Sequence, residues 1–120
     1  MNLREVQELL GAKLLTGEEY LDRQVGECFG SDLMSDVLAF TNRQTLLCTG
    51  LTNLQVIRTA DMADLCGVVV VRGKTPGMEI IKMARENALP VMTTDYTLFE
   101  TCGLLFQAGL RGCSKKGVLL

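Results

Sequence analysis

The chain has no histidine and no tryptophan, and its 120 residues include only two prolines, two tyrosines and four phenylalanines. Each absence removes a class of chemistry. Without histidine there is no imidazole to serve as base for a serine or cysteine nucleophile, or to share a zinc ion with thiolates. The five cysteines, Cys28, Cys48, Cys66, Cys102 and Cys113, are odd in number, widely spaced, and contain no Cys-x-x-Cys pair. A disulfide framework is therefore not expected, and buried free thiols acting as small hydrophobes are the favoured reading. No metal ligand is assigned, although a site assembled from distant cysteines, or across a dimer, stays open. Positive charge is not in excess: 12 Lys and Arg against 14 Asp and Glu leave a net charge of -2. Phosphate backbones are bound by clustered cations that release counterions, so no nucleic-acid partner is expected. No apolar run reaches the roughly 18 residues of a membrane span. Met1-Asn2-Leu3-Arg4-Glu5 also lacks the basic start and apolar core of a signal peptide. The expected location is the cytoplasm, with no membrane partner.

What is present suits one globular domain. The chain is 48% apolar and 22% charged, enough for a core, and a domain of this length buries about two-thirds of the surface its unfolded chain exposes. With no internal repeat, low-complexity stretch or linker, residues 1–112 are read as a single domain and residues 113–120 as a tail. That tail is expected to be ordered only if something covers Val118, Leu119 and Leu120.

Periodicity gives the elements. Leu3, Val6, Leu9 and Leu10 share a helical face, with Asn2 as N-cap, Glu5 completing a capping box and Gly11 as the stop. Short strands are expected over 12–16 and 25–30, and a short helix starting at Ser31 or Asp32 carries Leu33, Met34, Val37, Leu38 and Phe40. A strand over Thr45–Thr49 leads to a helix over 54–65. Val68 to Val71 are four β-branched residues in succession, which suits a strand covered on both faces and hence a parallel sheet. An amphipathic helix over 78–88 follows, with Ile80, Ile81 and Ala84 inward. Pro90, Val91 and Met92 begin the next strand, and Thr94 or Asp95 caps a last helix whose stripe is Phe99, Cys102, Gly103, Phe106 and Leu110. This strand, loop, helix, strand rhythm predicts an α/β fold of βαβ units, with a mostly parallel central sheet and helices on both faces.

In such sheets ligands gather at the carboxyl ends of the strands, where loops enter helix N-termini. The candidate ligand-binding residues are therefore Thr49, Gly50, Thr52 and Asn53; Arg72, Gly73 and Lys74; and Thr93, Thr94 and Asp95. The glycines allow close approach of backbone, the hydroxyls donate, and Arg72 with Lys74 can neutralise a phosphate or carboxylate. Arg72-Gly73-Lys74-Thr75 ends like a phosphate loop, but the glycine required five positions before Gly73 is Val68. Asp61 and Asp64 read as solvated carboxylates, and Ser31 and Ser35 as capping residues. No catalytic residue is assigned.

Three segments together resemble the DRTGG domain family: Leu46-Leu47-Cys48-Thr49-Gly50, Gly67-Val68-Val69-Val70-Val71-Arg72-Gly73, and Leu89-Pro90-Val91-Met92-Thr93-Thr94-Asp95-Tyr96-Thr97-Leu98-Phe99-Glu100-Thr101. That family is known as an insert in CBS-domain pyrophosphatases and phosphotransacetylases, and as stand-alone proteins. Stand-alone members similar in Ile57-Arg58-Thr59-Ala60 and Arg72-Gly73-Lys74 are encoded beside iron-only hydrogenase subunits and sensor kinases. The resemblance implies a regulatory, dimerising module that responds to a nucleotide or other small anion, with a protein partner in a redox or signalling complex. An iron–sulfur or hydrogenase-associated accessory protein is the second reading, and a small serine kinase-like phosphotransfer enzyme the third. The ligand itself is not specified, and an iron–sulfur cofactor is not expected.

Overall fold

The computed structural model describes residues 1–114; residues 115–120, with Val118, Leu119 and Leu120 of the expected tail, lie outside the described residues. Helix α1 (Leu3–Leu10) forms because its first turn is closed locally. The Asn2 side chain accepts the Glu5 N–H at 2.9 Å, and the Glu5 carboxylate accepts the Asn2 N–H at 3.0 Å. Gly11, at φ 55°, turns the chain out of the helix. There follow β1 (Lys13–Thr16), a 3-10 turn (Glu18–Tyr20), β2 (Glu27–Gly30), α2 (Met34–Phe40), β3 (Thr45–Thr49) and α3 (Leu54–Met62). The chain continues through β4 (Gly67–Val70), α4 (Met78–Glu86), β5 (Val91–Thr93), α5 (Leu98–Gln107) and β6 (Arg111–Gly112).

The result is an α/β domain with a six-stranded sheet in the order β1-β5-β4-β3-β2-β6. The five strands β2 to β6 run parallel, and β1 pairs antiparallel with β5 at one edge. Both faces are covered. Leu46, Cys48, Val69, Val71 and Met92 pack with Leu3, Val6 and Leu10 of α1 and Leu105 of α5. Leu47, Val68, Val70 and Val91 pack with Met34 and Val37 of α2, Val56, Ile57 and Ala60 of α3, and Ile80 and Ala84 of α4. The four successive valines thus alternate between two cores, which is why no polar residue interrupts them. Among the described residues no helix is long and apolar enough to cross a membrane.

Several boundaries differ from the sequence reading, each for a local reason. Strand β1 starts at Lys13 because the Ala12 N–H still bonds to the Gln7 carbonyl of α1. Strand β2 starts at Glu27 because Val25 donates its N–H to Met1 rather than to the sheet. Helix α2 starts at Met34, since the Ser31 hydroxyl closes a turn on the Leu33 N–H at 3.0 Å and Asp32 is engaged elsewhere. Helices α3 and α4 end at Met62 and Glu86, because Asp64 and Ala88 adopt left-handed backbone at φ 55° and 54°. The cap of α5 is Thr97, in a capping box with Glu100, and not Thr94 or Asp95. Helix α5 buries Thr101 and Leu105, while Phe99 is 87% and Phe106 59% exposed and Gly103 faces out. Of the expected stripe, Cys102 and Leu110 pack on the core, while Phe99, Gly103 and Phe106 face outward.

Candidate functional site

Strands β2 to β5 all deliver their carboxyl ends to one edge of the sheet. The β4 loop leads to α4 on one face and the β5 loop to α5 on the other, so the chain reverses its winding between Arg72-Gly73-Lys74 and Thr93-Thr94-Asp95. A crevice of this kind is where α/β sheets bind ligands.

The best-knit group lies at the end of β3. The Asp32 carboxylate, entering from the β2–α2 loop, accepts both the Thr49 hydroxyl and the Gly50 N–H at 2.8 Å. The Lys74 ammonium donates to the Gly50 carbonyl at 2.9 Å. Both polar groups of the Gly50 peptide are thus held, one by an anion and one by a cation. A β-carbon on Gly50 would stand 3.0 Å from the Arg72 guanidinium and 3.6 Å from the Asp32 carboxylate, so glycine lets these charges close over the backbone. Four candidates, Thr49, Gly50, Arg72 and Lys74, meet here.

Asp32 was not among the candidates, because it reads as a helix-starting residue; its position just after β2 was the available signal. The Gly50 N–H holds its carboxyl below the usual value of 3.8, helped by the Thr49 hydroxyl and by the charges of Arg72 and Lys74, against the cost of partial burial. A depressed folded-state pKa contributes stability that is present above the unfolded value and is lost as pH falls through the folded one. Asp32→Ala is accordingly expected to cost about 1 kcal/mol at pH 7, the discounted worth of charge-assisted hydrogen bonds at an exposed group. Urea melts of variant and native chain should converge as pH is lowered below about 4. A gap that persists in acid would show that something other than the carboxylate's charge is at work.

The remaining candidates divide. Arg72 and Gly73 both adopt left-handed backbone, at φ 62° and 68°, and spend their N–H groups across the crevice, on the Tyr96 and Thr94 carbonyls at 2.8 Å. The Thr93 hydroxyl donates to the Lys74 carbonyl at 2.6 Å. Asp95 stands close by, its Oδ1 3.0 Å from where a Gly73 β-carbon would lie. These three bonds stitch the β4 and β5 loops together and leave side chains, not backbone amides, to meet a ligand. Thr94 is buried, its hydroxyl donating to the Leu10 carbonyl at 3.0 Å, and so anchors the last turn of α1. Asn53 caps α3 by accepting the Val56 N–H at 3.3 Å. Thr52 is half-buried between Gly50 and that cap.

At the opposite strand ends a cleft of about 460 Å3 is lined by Arg23, Arg43, Asp61 and Asp64 among others. Its cation Arg23 is committed, donating to the Cys66 and Ala88 carbonyls at 3.2 and 3.3 Å and stacking on Tyr20.

The cysteines are not scattered in space. Cys28 of β2, Cys48 of β3 and Cys102 of α5 bring their sulfurs within 4.8 Å of one another, Cys28 and Cys48 at 3.5 Å. Cys48 is buried and the other two half-buried. The Cys102 thiol is held below its usual value by the neighbouring Cys28 and then Cys48 thiols, against partial burial, and Cys48 is raised by Cys102, by Cys28 and by burial. Cys66 stands apart, its thiol pushed up to about 12 by burial.

The sequence profile of the DRTGG domain matches residues 5–108. No curated protein matches the chain significantly. Among solved structures, the CBS and DRTGG domains of the regulatory region of Clostridium perfringens pyrophosphatase, complexed with the activator diadenosine tetraphosphate, superpose with a TM-score of 0.75 at 20% identity. The likeness covers 98% of this chain and 52% of that one, so the chain spans about half the length of the solved region.

Proposed function

The chain belongs to the DRTGG domain family, and from that membership we propose that it is a non-catalytic, cytoplasmic regulatory module that binds a nucleotide or similar polyanion at the carboxyl ends of β3 and β4. The observation that carries this reading is the convergence of Arg72 and Lys74 on the Gly50 peptide, beside the point where the sheet reverses its winding. A phosphate arriving there competes with the Gly50 carbonyl for Lys74 and meets the Arg72 guanidinium, which stands over Gly50. Lys74 is already held by its bond to the Gly50 carbonyl, so little of its side-chain ordering is left to oppose binding. The half-buried Thr52 adds a neutral hydroxyl, while those of Thr49 and Thr93 serve the site indirectly, by holding Asp32 and the Lys74 backbone in place. The regulatory region of the similar pyrophosphatase, solved with a dinucleotide activator, supports a nucleotide-responsive role.

The same reading makes the chain a homodimer. Helix α5 leaves Phe99 and Phe106 exposed, and Tyr96 is also exposed just before it, an apolar surface that a second copy can cover symmetrically. A partner in a redox or signalling complex would then read the state of the dimer.

The test is a thermal melt of the chain against adenosine mono-, di- and triphosphate and diadenosine tetraphosphate, with molar mass followed by light scattering. A ligand at a hundred times its dissociation constant adds about 2.7 kcal/mol to stability. At least one nucleotide is expected to raise the melting temperature of the native chain, and Arg72→Ala and Lys74→Ala to abolish that rise while melting normally themselves. If no nucleotide moves the native melt, the ligand reading fails; a monomeric mass removes the dimer.

A further inference from the structure

We propose that Cys28, Cys48 and Cys102 form a three-thiolate site for a single thiophilic d10 cation, of the zinc(II) or copper(I) kind. The inference is independent of the nucleotide reading, since the sulfurs lie on the α1 and α5 side of the sheet, and the proposed ligand groups lie at the strand ends.

Geometry carries it. Metal–sulfur bonds of about 2.3 Å place the sulfurs of a trigonal or tetrahedral ion roughly 3.8–4.0 Å apart. The three sulfurs already lie within 4.8 Å of one another, with one pair at 3.5 Å, so small side-chain rotations suffice. An iron–sulfur cluster is a poorer fit, because it normally takes four cysteines distributed over two or more irons. Three neutral or anionic sulfurs with no imidazole or carboxylate among them are a soft donor set, which selects this class of ion over magnesium, calcium or manganese.

The surroundings are shaped around the sulfurs. Cys28 and Cys48 lie on adjacent parallel strands, where the register sets Gly30 opposite Cys48. A β-carbon on Gly30 would lie 2.6 Å from the Cys102 sulfur, so the glycine is what allows α5 to lower that sulfur onto the sheet. An open cleft of about 420 Å3, lined by Cys28, Gly30, Cys102, Gly103 and Cys113, gives an ion a way in. Cys113 also lines that cleft, but its sulfur is engaged 3.5 Å from the Thr45 hydroxyl and is not one of the three that converge. Cys66 shows what a solitary buried cysteine looks like in the same core: among the described residues its thiol hydrogen-bonds to the Gln44 carbonyl alone, at 3.6 Å.

Binding forms three metal–sulfur bonds, each thiol releasing its proton to the buffer, and transfers no electron. The experiment takes the full chain, reduced and stripped of metal under anaerobic conditions, and titrates it with zinc(II) and, separately, copper(I) against competing chelators. One ion per chain is expected for at least one of the two, with three or more sulfurs at about 2.3 Å in its X-ray absorption spectrum. Cys102→Ala should weaken that binding at least 100-fold, and Cys66→Ala should leave it within a few-fold. If Cys102→Ala does not fold, the sulfur count in the native chain decides. Failure to take up either ion, fewer than three sulfur neighbours, or full affinity in a folded Cys102→Ala would overturn the site. So would a coloured, iron-containing product on reconstitution with iron and sulfide, which would overturn the single-ion assignment.

Discussion

Gly17→Ala is expected to destabilise the domain by about 2–5 kcal/mol, combining the cost of left-handed backbone for a residue with a β-carbon and that of overpacking against backbone. Gly17 links β1 to the 3-10 turn at φ 99° and is buried. A β-carbon there would lie 2.6 Å from the Pro90 Cα and 2.7 Å from its Cβ. Pro90 has little freedom to retreat, since its ring fixes φ and its carbonyl accepts the Val68 N–H at 2.9 Å, tying it to β4. Relief would have to come from peeling β1 off β5, whose pairing already shifts register between Leu14 and Thr16. Gly11→Ala separates the two terms. Gly11 is also left-handed, at φ 55°, but a β-carbon there meets nothing within 4 Å, so only the backbone cost of about 1 kcal/mol applies. In a thermal melt Gly17→Ala should lose on the order of 10 °C or more and Gly11→Ala a few degrees. Equal losses would mean that the approach of Pro90 plays no part.

This pair also shows what the sequence could and could not convey. The capping box of α1 was legible because Asn2 and Glu5 settle it between themselves. The valine run was legible because only a strand buried on both sides uses four such residues in succession. The inner face of α5 is only partly legible because apolar Phe99 and Phe106 also fall on its outer side; which residues it buries is decided by α1 and the sheet, not by its own periodicity. Strand β6 was missed altogether, being Arg111 and Gly112, two exposed residues that join the sheet through the backbones of Glu27 and Cys28. At the strand ends, the rule that ligands meet loops was enough to select Thr49, Gly50, Arg72 and Lys74, which do converge. Asp32 lies far from them in sequence and joins them only through the pairing of β2 with β3. Cys28 and Cys48 come together the same way and Cys102 joins them by the packing of α5 on the sheet, so a search for close cysteine pairs could not find them. Thr94 looked like its neighbour Thr93, and only the direction of its side chain, toward Leu10, separates an anchor from a candidate ligand.

Leu46→Ala and Leu47→Ala are each expected to cost about 2–5 kcal/mol, the range for truncating a fully buried leucine that leaves a cavity. Both side chains are 0% exposed, yet they enter different cores: Leu46 faces α1 and α5, and Leu47 faces α2, α3 and α4. In a sheet with one wet face only one of two successive leucines would matter. Strand β3 is held on both sides, by β2 and β4, and cannot slide to hide either loss; a slip of one residue would exchange the two faces and put Cys48 among the wrong helices. The side chains share no cavity, so the costs should nearly add, and their sum is comparable to the whole stability of a domain this size, about 5–15 kcal/mol. The double variant should therefore be unfolded at 25 °C by circular dichroism, with each single variant folded but displaced to lower urea midpoints. A single variant costing less than about 1 kcal/mol would show that its side of the sheet is not a packed core. The strand that answers to both cores also carries Cys48 in its middle and Thr49 with Gly50 at its end, so its rigidity is what holds the thiol group and the charged strand end at fixed positions on one framework.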